Sequence, residues 1–243
     1  MKQPHIYTDK SSYYDLVYKW KNYRAETSTL IKLINRYKKS FGINLLDVAC
    51  GTGEHLRYLR SIYNCEGLDI SQNQLTIASE KLPDITFHTG DMIDFNLEKK
   101  FDVIICLFSA ISYVRTITRL KKTLTNFYHH LKKGGVLIIE PWFDKGSKDF
   151  KIDIPYMTTY EDNSIKITRI SIAKIQGNLS IMDTRYLIGE KNKGIYYFSE
   201  KHILGLFKKK EFLKLLKKTG FRSEFLSRGL INEDRGLYIG LKN

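Results

Sequence analysis

The sequence predicts an α/β protein whose doubly wound, mostly parallel sheet carries an antiparallel β insertion. Between residues 43 and 142, short apolar runs typical of buried strands alternate with amphipathic segments of helical period. After Pro141 the pattern changes, and residues 150–198 contain alternating runs of strand type without a good helix. The length of 243 residues suits one domain with a substantial insertion.

The parallel layer is predicted element by element as far as residue 142. One or two helices over residues 11–40 precede the strand INLLDVAC, which is followed by the helix EHLRYLRSIY. The strand CEGLDI leads to Ser71, a good N-cap for the helix QNQLTIASEKL. The strands ITFHTGD and FDVIICLF, a helix over residues 117–131 and the strand VLIIEPW complete this layer.

The rest of the chain is predicted to form the insertion and to complete the core. The runs SIKITRISIAKI, NLSIMDTRYLIG and GIYYFS are separated by turn residues and therefore form antiparallel strands. The helix KKKEFLKLLKKTGF ends near Gly220, and RSEFLS and RGLYIGLK form a final strand pair. We expect a single domain with N-terminal helices, a core, the insertion and a C-terminal helix with strands, at residues 1–42, 43–142, 143–198 and 199–243.

Charge and composition limit the setting in which the protein works. The formal net charge of +14 would attract nucleic acid, anionic membranes or phosphorylated small molecules. Much of the excess lies in lysine pairs scattered along the chain, which favours a solvated surface that permits an anionic substrate. There is no apolar run of about 18 residues and no signal-like N-terminus, and the three cysteines lack metal-ligand spacing. We expect a cytoplasmic protein without a membrane span, an export signal or a bound metal.

The run LLDVACGTGEHL, residues 45–56, places a glycine-rich loop at the end of the first predicted strand. A triphosphate-binding loop needs Gly-Lys-Ser/Thr here, but Gly53 is followed by Glu54, so that ligand is excluded. A dinucleotide fingerprint needs a small residue where Leu56 stands, and the Glu54 carboxylate would repel a pyrophosphate. The pattern therefore disfavours both phosphate ligands.

S-adenosylmethionine suits this loop and the ends of the next two strands. Its amino acid end and sulfonium carry charge but no phosphate, so nearby carboxylates are favourable. Asp69 ends the second strand, where it can accept from the ribose hydroxyls. Asp91 ends the third, where it can accept from the adenine amino group while Met92 packs on the ring. The alternative is that both carboxylates only cap the loops that follow them.

With these motifs, the chain resembles the class I S-adenosylmethionine-dependent methyltransferases. Within them it is similar to the N-methyltransferases that act on the amine of nucleotide-linked deoxy amino sugars. That similarity rests on YYDLVY, LLDVACGTGEHL, LFSAISYV, GGVLIIEPW, YFSEKHILGLF and RGLYIGL. The resemblance implies a Rossmann-like fold, a dTDP- or UDP-linked amino sugar as substrate and a homodimer. It also implies that the insertion helps to form the sugar site and the dimer contact.

The segment after the fourth strand limits the chemical nature of the acceptor. Methylation of an adenine or cytosine amino group usually requires Asn/Asp-Pro-Pro-aromatic, and this chain has CLFSAISYV instead. Methylation at cytosine C5 needs a Pro-Cys nucleophile, and no proline precedes a cysteine. An sp3 sugar amine is nucleophilic once deprotonated, and it needs little more than alignment with the methyl and a place for one proton.

The resemblance implies three sets of site residues. The cofactor set is Tyr14, Ala49, Gly51, Gly53, Asp69, Ile70, Asp91, Met92 and Leu107. The catalytic set is Tyr113, Tyr14 and His202. The substrate set is Tyr113, Glu140, Trp142, Arg169, Arg185 and Arg235. Ala49 stands where the general class has the first loop glycine, and alanine is small enough to replace it.

Several of these residues have particular expected roles. Tyr14 covers the tail or the methyl of the cofactor, unless it is only a packed aromatic. Tyr113 presents its ring to the acceptor amine, and because a phenol is protonated at pH 7 we expect it to orient the amine directly or through water. His202 either faces the sugar or caps a helix. Arg235 reaches the nucleotide diphosphate with its planar fork, assisted by Arg169 or Arg185.

Rival functions remain open at this point. One is methylation of a small metabolite without a nucleotide handle, and another is RNA methylation, which only the positive charge favours. A third is a non-enzymatic module that keeps the fold as a scaffold, although the intact cofactor set disfavours it. The fold alone does not select a substrate.

Overall fold

A computed structural model describes residues 6, 11–144, 147, 150–231 and 235–243, which form two β-sheets and six α-helices. The helices are α1 (Tyr14–Val17), α2 (Tyr23–Tyr37), α3 (Leu56–Leu59), α4 (Gln72–Lys81), α5 (Ile117–His130) and α6 (Lys209–Thr219). The larger sheet contains β1 (Asn44–Val48), β2 (Asn64–Asp69), β3 (Thr86–Thr89), β4 (Phe101–Cys106), β5 (Leu131–Ile139), β10 (Phe221–Leu226) and β11 (Leu237–Lys242). The smaller sheet contains β6 (Tyr156–Glu161), β7 (Ile165–Gln176), β8 (Leu179–Glu190) and β9 (Gly194–Gly205).

The larger sheet has the predicted doubly wound topology, with strand order β10-β11-β5-β4-β1-β2-β3. Strands β1 to β5 are parallel, and β11 enters antiparallel between β5 and β10. The direction of winding changes beside β1, which pairs with β2 on one side and β4 on the other. In open α/β sheets the crevice at the carboxyl ends of such strands is the usual ligand site.

Side-chain alternation along the strands builds a separate apolar layer on each face of this sheet. Ile104 and Cys106 of β4 pack with α5 and α6, whereas Val103 and Ile105 face α2 and α3. Every residue of β4 is buried, as expected for a central parallel strand covered by helices on both sides. The predicted N-cap of α4 also agrees with the structure, because the Ser71 side chain accepts from Gln74 N at 3.3 Å.

The prediction for the helix after the glycine loop was wrong in length. A helix was expected over EHLRYLRSIY, but α3 covers only Leu56–Leu59. Residues 60–63 form the turn that brings the chain to the start of β2 at Asn64, so the helix cannot continue. By contrast, α6 ends at Gly220 as predicted, with a positive φ of 112° at that residue.

The predicted boundary of the insertion also needs correction. Its first strand begins at Tyr156 rather than near 150, and β9 continues to Gly205 rather than ending at 198, paired with β8 along its whole length. The side chains of β9 that face the protein include Glu200 and His202, both buried. Because these buried positions carry polar side chains, the sequence lacks the apolar–polar alternation by which a strand is recognised, and the end of β9 was placed too early.

The insertion packs against the N-terminal segment through one face of the smaller sheet. We call this the inner face; it carries Ile167 and Tyr186, which pack with Val17 and Tyr18 in a buried cluster. The Tyr186 ring stacks on Phe198 with centroids 4.5 Å apart. The opposite, outer face is exposed. In the part of the chain that the structure describes, no helix is both long and apolar enough to cross a membrane.

Candidate active site

The glycine-rich loop leaves β1 in a left-handed backbone conformation. Ala49, Gly51 and Gly53 have φ values of 60°, 57° and 79°. A non-glycine residue in this region costs about 1–2 kcal/mol, so Ala49 is held there by its surroundings, which include a bond from Cys50 N to Leu68 O. The conformation explains why the general class prefers glycine at the position of Ala49.

A cavity of about 420 Å³ opens beside this loop at the carboxyl ends of β1, β2 and β4. This volume is within the range of small-molecule sites. Nine residues from the predicted cofactor and catalytic sets line it, namely Tyr14, Ala49, Gly51, Asp69, Ile70, Asp91, Met92, Leu107 and Tyr113. Sequence motifs from several elements therefore meet around one space.

Gly53 does not line the cavity, so the expected direct contact with the cofactor is not supported. A Cβ at this position would lie 3.0 Å from Leu82 Cδ1 and 3.6 Å from both Ala78 Cβ and Phe87 Cζ. Gly53 thus lets the loop pack closely against α4 and β3. A side chain at this position would crowd that packing.

Hydrogen-bond acceptors collect where the cavity meets the end of β2 and the start of α4. The Asp69 carboxylate accepts from Gly51 N at 2.9 Å and Ser71 N at 2.8 Å, and its burial raises the pKa although these backbone bonds oppose the shift. Gln74, missed by the sequence analysis, lines the same wall, and its Oε1 is buried without a hydrogen-bond partner in the described structure. These acceptors fit a ligand with two adjacent hydroxyl donors, as in S-adenosylmethionine.

A smaller cavity of about 40 Å³ continues the site toward the buried end of the loop, sharing Tyr14, Ala49 and Gly51 with the larger one. The Asp47 side chain lines it, and burial raises the pKa of this carboxyl well above its ordinary value, with Asp69 adding to the effect. His55 also lines it and lies 2.7 Å from Glu26. A cationic amino group is the kind of partner that would restore the Asp47 charge.

The N-terminal segment closes over the loop from one side. Asp15 of α1 accepts from Thr52 Oγ1 at 2.6 Å and from Lys81 Nζ at 2.9 Å, so it ties α1 to the loop and to α4. Tyr14 lines both cavities, and burial raises the pKa of its phenol well above the ordinary value. Tyr14 is therefore a protonated, largely apolar cover for the site.

On the acceptor side, the structure brings two predicted catalytic residues together. Tyr113 lies in the 3-10 turn Ala110–Val114 after β4, and its hydroxyl is 2.7 Å from His202 Nδ1 on the inner face. His202 Nε2 is in turn 2.7 Å from Glu200 Oε1, a residue that the sequence analysis did not single out. His202 is nearly fully buried and does not cap a helix.

The turn that carries Tyr113 is held by Glu140 and Arg235. Phe108 and Ser109 both have a positive φ, and Phe108 N donates to Glu140 Oε2 at 2.6 Å. Arg235 donates to Ser109 Oγ at 2.7 Å, and its other terminal nitrogen is 3.2 Å from Glu140 Oε1. Both terminal nitrogens of Arg235 are therefore used inside the protein. The expectations that Arg235 binds the diphosphate and that Glu140 contacts the substrate are not supported.

Three predicted substrate residues remain. Arg169 and Arg185 lie on opposite faces of the smaller sheet, and Trp142 lies outside it. Arg169 is buried on the inner face, with its guanidinium over the rings of Tyr18 and Tyr156. Arg185 lies on the outer face, pairs with Asp183 and Tyr197, and does not line the cavity, so the structure gives no support to the expectation that it assists at the substrate. Trp142 packs among aromatic rings behind the cavity and does not line it.

Two further cations stand at the cavity, and the sequence analysis missed both. Arg115 and Arg119 contribute to its lining, and Arg119 Nη2 is 3.7 Å from Asp91 Oδ2. Arg115 lies directly after the 3-10 turn and Arg119 in the first part of α5, and no sequence motif marks either residue. These side chains give the mouth of the cavity positive charge.

Comparison with known proteins assigns the family. Residues 45–135 match the family model described as a methyltransferase domain. The chain is 34% identical to the dTDP-3-amino-3,4,6-trideoxy-alpha-D-glucopyranose N,N-dimethyltransferase of Streptomyces venezuelae, over 96% of this chain and 98% of that protein. The chain belongs to this methyltransferase family. Its cofactor is S-adenosylmethionine, as the motifs predicted.

Other similarities of this methyltransferase extend over nearly its whole length. It is 35% identical to the dTDP-4-amino-2,3,4,6-tetradeoxy-D-glucose N,N-dimethyltransferase of Saccharopolyspora spinosa, over 97% of this chain and 93% of that one. The fold resembles the crystal structure of Streptomyces venezuelae DesVI with a TM-score of 0.89 and 33% identity, covering 97% and 99% of the two chains. It also resembles SAM-bound CalS10, an amino pentose methyltransferase from Micromonospora echinaspora, with a TM-score of 0.83, 27% identity and coverage of 99% and 98%.

Proposed function

We propose that this methyltransferase transfers one or two methyl groups to the amine of a dTDP- or UDP-linked amino deoxy sugar. The observation that carries the proposal is the similarity over the insertion as well as the core, because His202 of the insertion contacts Tyr113, which lines the cavity. A shared core alone would support only the cofactor.

Some residues of the cavity bind the cofactor, and Tyr113 aligns the acceptor amine with the methyl group. Bound S-adenosylmethionine supplies an electrophilic methyl on its sulfonium sulfur. Asp69 and Gln74 accept from the ribose, Asp91 from the adenine, and Tyr14 covers the tail and excludes water. Tyr113 stands at the acceptor end, where its hydroxyl orients the amine. Holding a nucleophilic amine in line with the methyl supplies much of the rate enhancement.

The nucleotide supplies binding energy remote from the reacting nitrogen, which the enzyme uses to orient the amine. Arg169, on the inner face, and Arg115, at the cavity mouth, are the cations we propose for the phosphate-bearing part. This assignment replaces Arg185 and Arg235, whose charges are used elsewhere in the fold.

A screen with isotope-labelled cofactor and mass spectrometry tests the substrate. Nucleotide-linked 3- and 4-amino deoxy sugars are expected to gain one or two labelled methyl groups, and the matching hydroxy sugars none. Removing the nucleotide is expected to lower kcat/KM by about 100-fold or more, because remote binding energy is lost. Label in transfer RNA, or equal label in the free amino sugar, would overturn the proposal.

We also propose that the protein works as a homodimer through the outer face. This face exposes Met157, Ile170, Leu187 and Tyr197, and register places Met157 opposite Ile170 and Leu187 opposite Tyr197. Contiguous exposed apolar residues of this kind mark association surfaces. We propose a cytoplasmic location, because the three cysteine thiols are unpaired, as is usual in a reducing compartment.

Sedimentation analysis tests the dimer. The wild-type protein is expected to sediment at twice the 28.4 kDa chain mass, and Leu187→Glu is expected to shift it toward the monomer. Phe41→Glu is the matched control, since Phe41 is fully exposed in the loop before β1, away from the insertion. A monomeric wild type, or dissociation by the Phe41 change alone, would contradict this assignment.

A further inference from the structure

A buried line of polar side chains leads away from the acceptor end of the cavity. It begins at Tyr113, which lines the cavity, passes through His202 and ends at Glu200, with both links 2.7 Å long. His202 is 1% exposed and Glu200 4%, so the line runs through the protein interior. A buried charged group carries a desolvation cost, which a stabilising or functional role has to offset.

The surroundings of Glu200 define it as the accepting end. Its Oε1 accepts from Tyr186 Oη at 2.8 Å, and its Oε2 accepts from Ile6 N at 2.9 Å. Burial raises the pKa of the Tyr186 phenol, so that hydroxyl keeps its proton and donates. A carboxylate that receives these donors is ionised and acceptor-only.

This arrangement determines the histidine tautomer. Because Glu200 can only accept, the proton between the two groups belongs to His202 Nε2. In the neutral ring His202 Nδ1 then carries a lone pair, and the Tyr113 hydroxyl donates to it. A carboxylate that fixes the tautomer of a histidine, which in turn accepts from a hydroxyl, is the arrangement of nucleophile-activating triads.

We propose that Tyr113, His202 and Glu200 form a relay that takes up the proton lost by the acceptor amine. The inference rests on the proposed function and adds to it a destination for the proton. Tyr113 is the catalytic residue, because its hydroxyl faces the acceptor. His202 and Glu200 act through it and are positioning residues.

The proposed step balances as follows. The amine nitrogen bonds to the methyl carbon, and the carbon–sulfur bond breaks with its electron pair remaining on sulfur, which becomes a neutral thioether. The new ammonium gives a proton to Tyr113 Oη as the phenol proton moves to His202 Nδ1. The imidazolium is stabilised by Glu200 and later releases its proton to water. A second methylation needs this deprotonation, since a protonated amine has no lone pair.

A His202→Asn variant separates proton uptake from simple positioning. The asparagine side chain can still accept from the Tyr113 hydroxyl, but it cannot take up a proton. If the relay operates, kcat at pH 7 falls about 100-fold, within the usual effect of general base catalysis, while cofactor affinity stays unchanged. Tyr113→Phe is expected to show a similar loss, and Glu200→Gln a smaller one, because the imidazolium loses its counter-charge.

The pH profile of kcat separates two roles of His202. It should change in the variant if His202 takes up a proton, and it should keep its shape if His202 is only structural. Among the described residues, Tyr113 from the 3-10 turn and Glu200 on its own strand contact the His202 ring, and Tyr186 reaches Glu200 from β8. Wild-type kcat is expected to level off once the pH is high enough for the acceptor amine to be deprotonated, because the relay then takes up the proton that methylation releases. In His202→Asn the rate is expected to keep rising at alkaline pH, because without the relay the solvent has to accept the proton.

Nitrogen NMR of the wild-type protein provides a test that is independent of activity. The His202 ring is expected in the Nε2-protonated tautomer, and protonation at Nδ1 alone would overturn the relay. So would a His202→Asn variant that turns over at the wild-type rate with an unchanged pH profile. If instead the wild type methylates no nucleotide amino sugar while it binds the cofactor, the proposed function fails, and the NMR result still decides the hydrogen-bond pattern.

Discussion

Gly51→Val is expected to weaken S-adenosylmethionine binding by about 100-fold or more, equivalent to about 2.7 kcal/mol. Gly51 has a φ of 57° and lines both cavities. The nearest protein atom to an added Cβ is Gln74 Oε1 at 3.6 Å, so the added Cβ would not clash with the protein. The valine side chain would instead occupy the part of the cavity that we assign to the cofactor. The β-branched side chain also disfavours the left-handed backbone.

Gly177→Val is the matched control for the strain in this variant. Gly177 has nearly the same φ of 60°, no heavy atom within 4 Å of an added Cβ, and a position in the β7–β8 turn far from the cavity in sequence. Calorimetry should find wild-type cofactor affinity in that control. A folded Gly51→Val protein with wild-type affinity would refute the assigned cofactor site.

Glu140→Ala is expected to lower the free energy of unfolding by about 3–5 kcal/mol. Its carboxylate is almost completely buried, pairs with Arg235 and accepts from Phe108 N. Truncation leaves the guanidinium without its counter-charge and the Phe108 amide without its acceptor, beside a backbone already held at positive φ. For a chain of this size the melting temperature should fall by about 6–20 °C.

Thermal melting and urea titration of five proteins, the wild type, Glu140→Ala, Arg235→Ala, the double variant and a surface control, test the origin of this loss. Glu161→Ala removes a carboxylate from the exposed pair with Lys166, and the melting temperature of that control should not change. The double variant Glu140→Ala with Arg235→Ala should lose less stability than the sum of the single changes, because the two groups are coupled. Strict additivity, or an unchanged melt for Glu140→Ala, would contradict the buried pair.

The cofactor half of the site could be predicted from sequence because its signals are local. Each strand end carries its cavity-lining residue directly, so Gly51, Asp69 and Asp91 follow from the run in which each stands. The parallel order of the strands then brings these ends together. Gly53 shows the limit of this reasoning, since a glycine required for packing and one required by a ligand look identical in sequence.

The acceptor half depends on pairings that leave no local signal. Arg235 and Glu140 are far apart in the chain, and only the fold shows that they neutralise each other. On β8, Ser180, Met182, Thr184, Tyr186 and Ile188 face inward while Ile181, Asp183, Arg185 and Leu187 face outward. Both faces mix polar and apolar residues, so alternation could not tell on which side Arg185 lies.

The smaller sheet has a consequence for how such enzymes diversify. Its four strands hydrogen-bond to one another and not to the larger sheet, and the chain enters at Tyr156 and leaves after Gly205. On the proposed function, inherited changes there can reshape acceptor preference without disturbing the strand ends that line the cavity. On the proposals above, however, β9 supplies His202 and Glu200, β8 supplies the Tyr186 hydroxyl that donates to Glu200, and β7 supplies Arg169. Variation in this sheet is therefore constrained on its inner face and freer on its outer face.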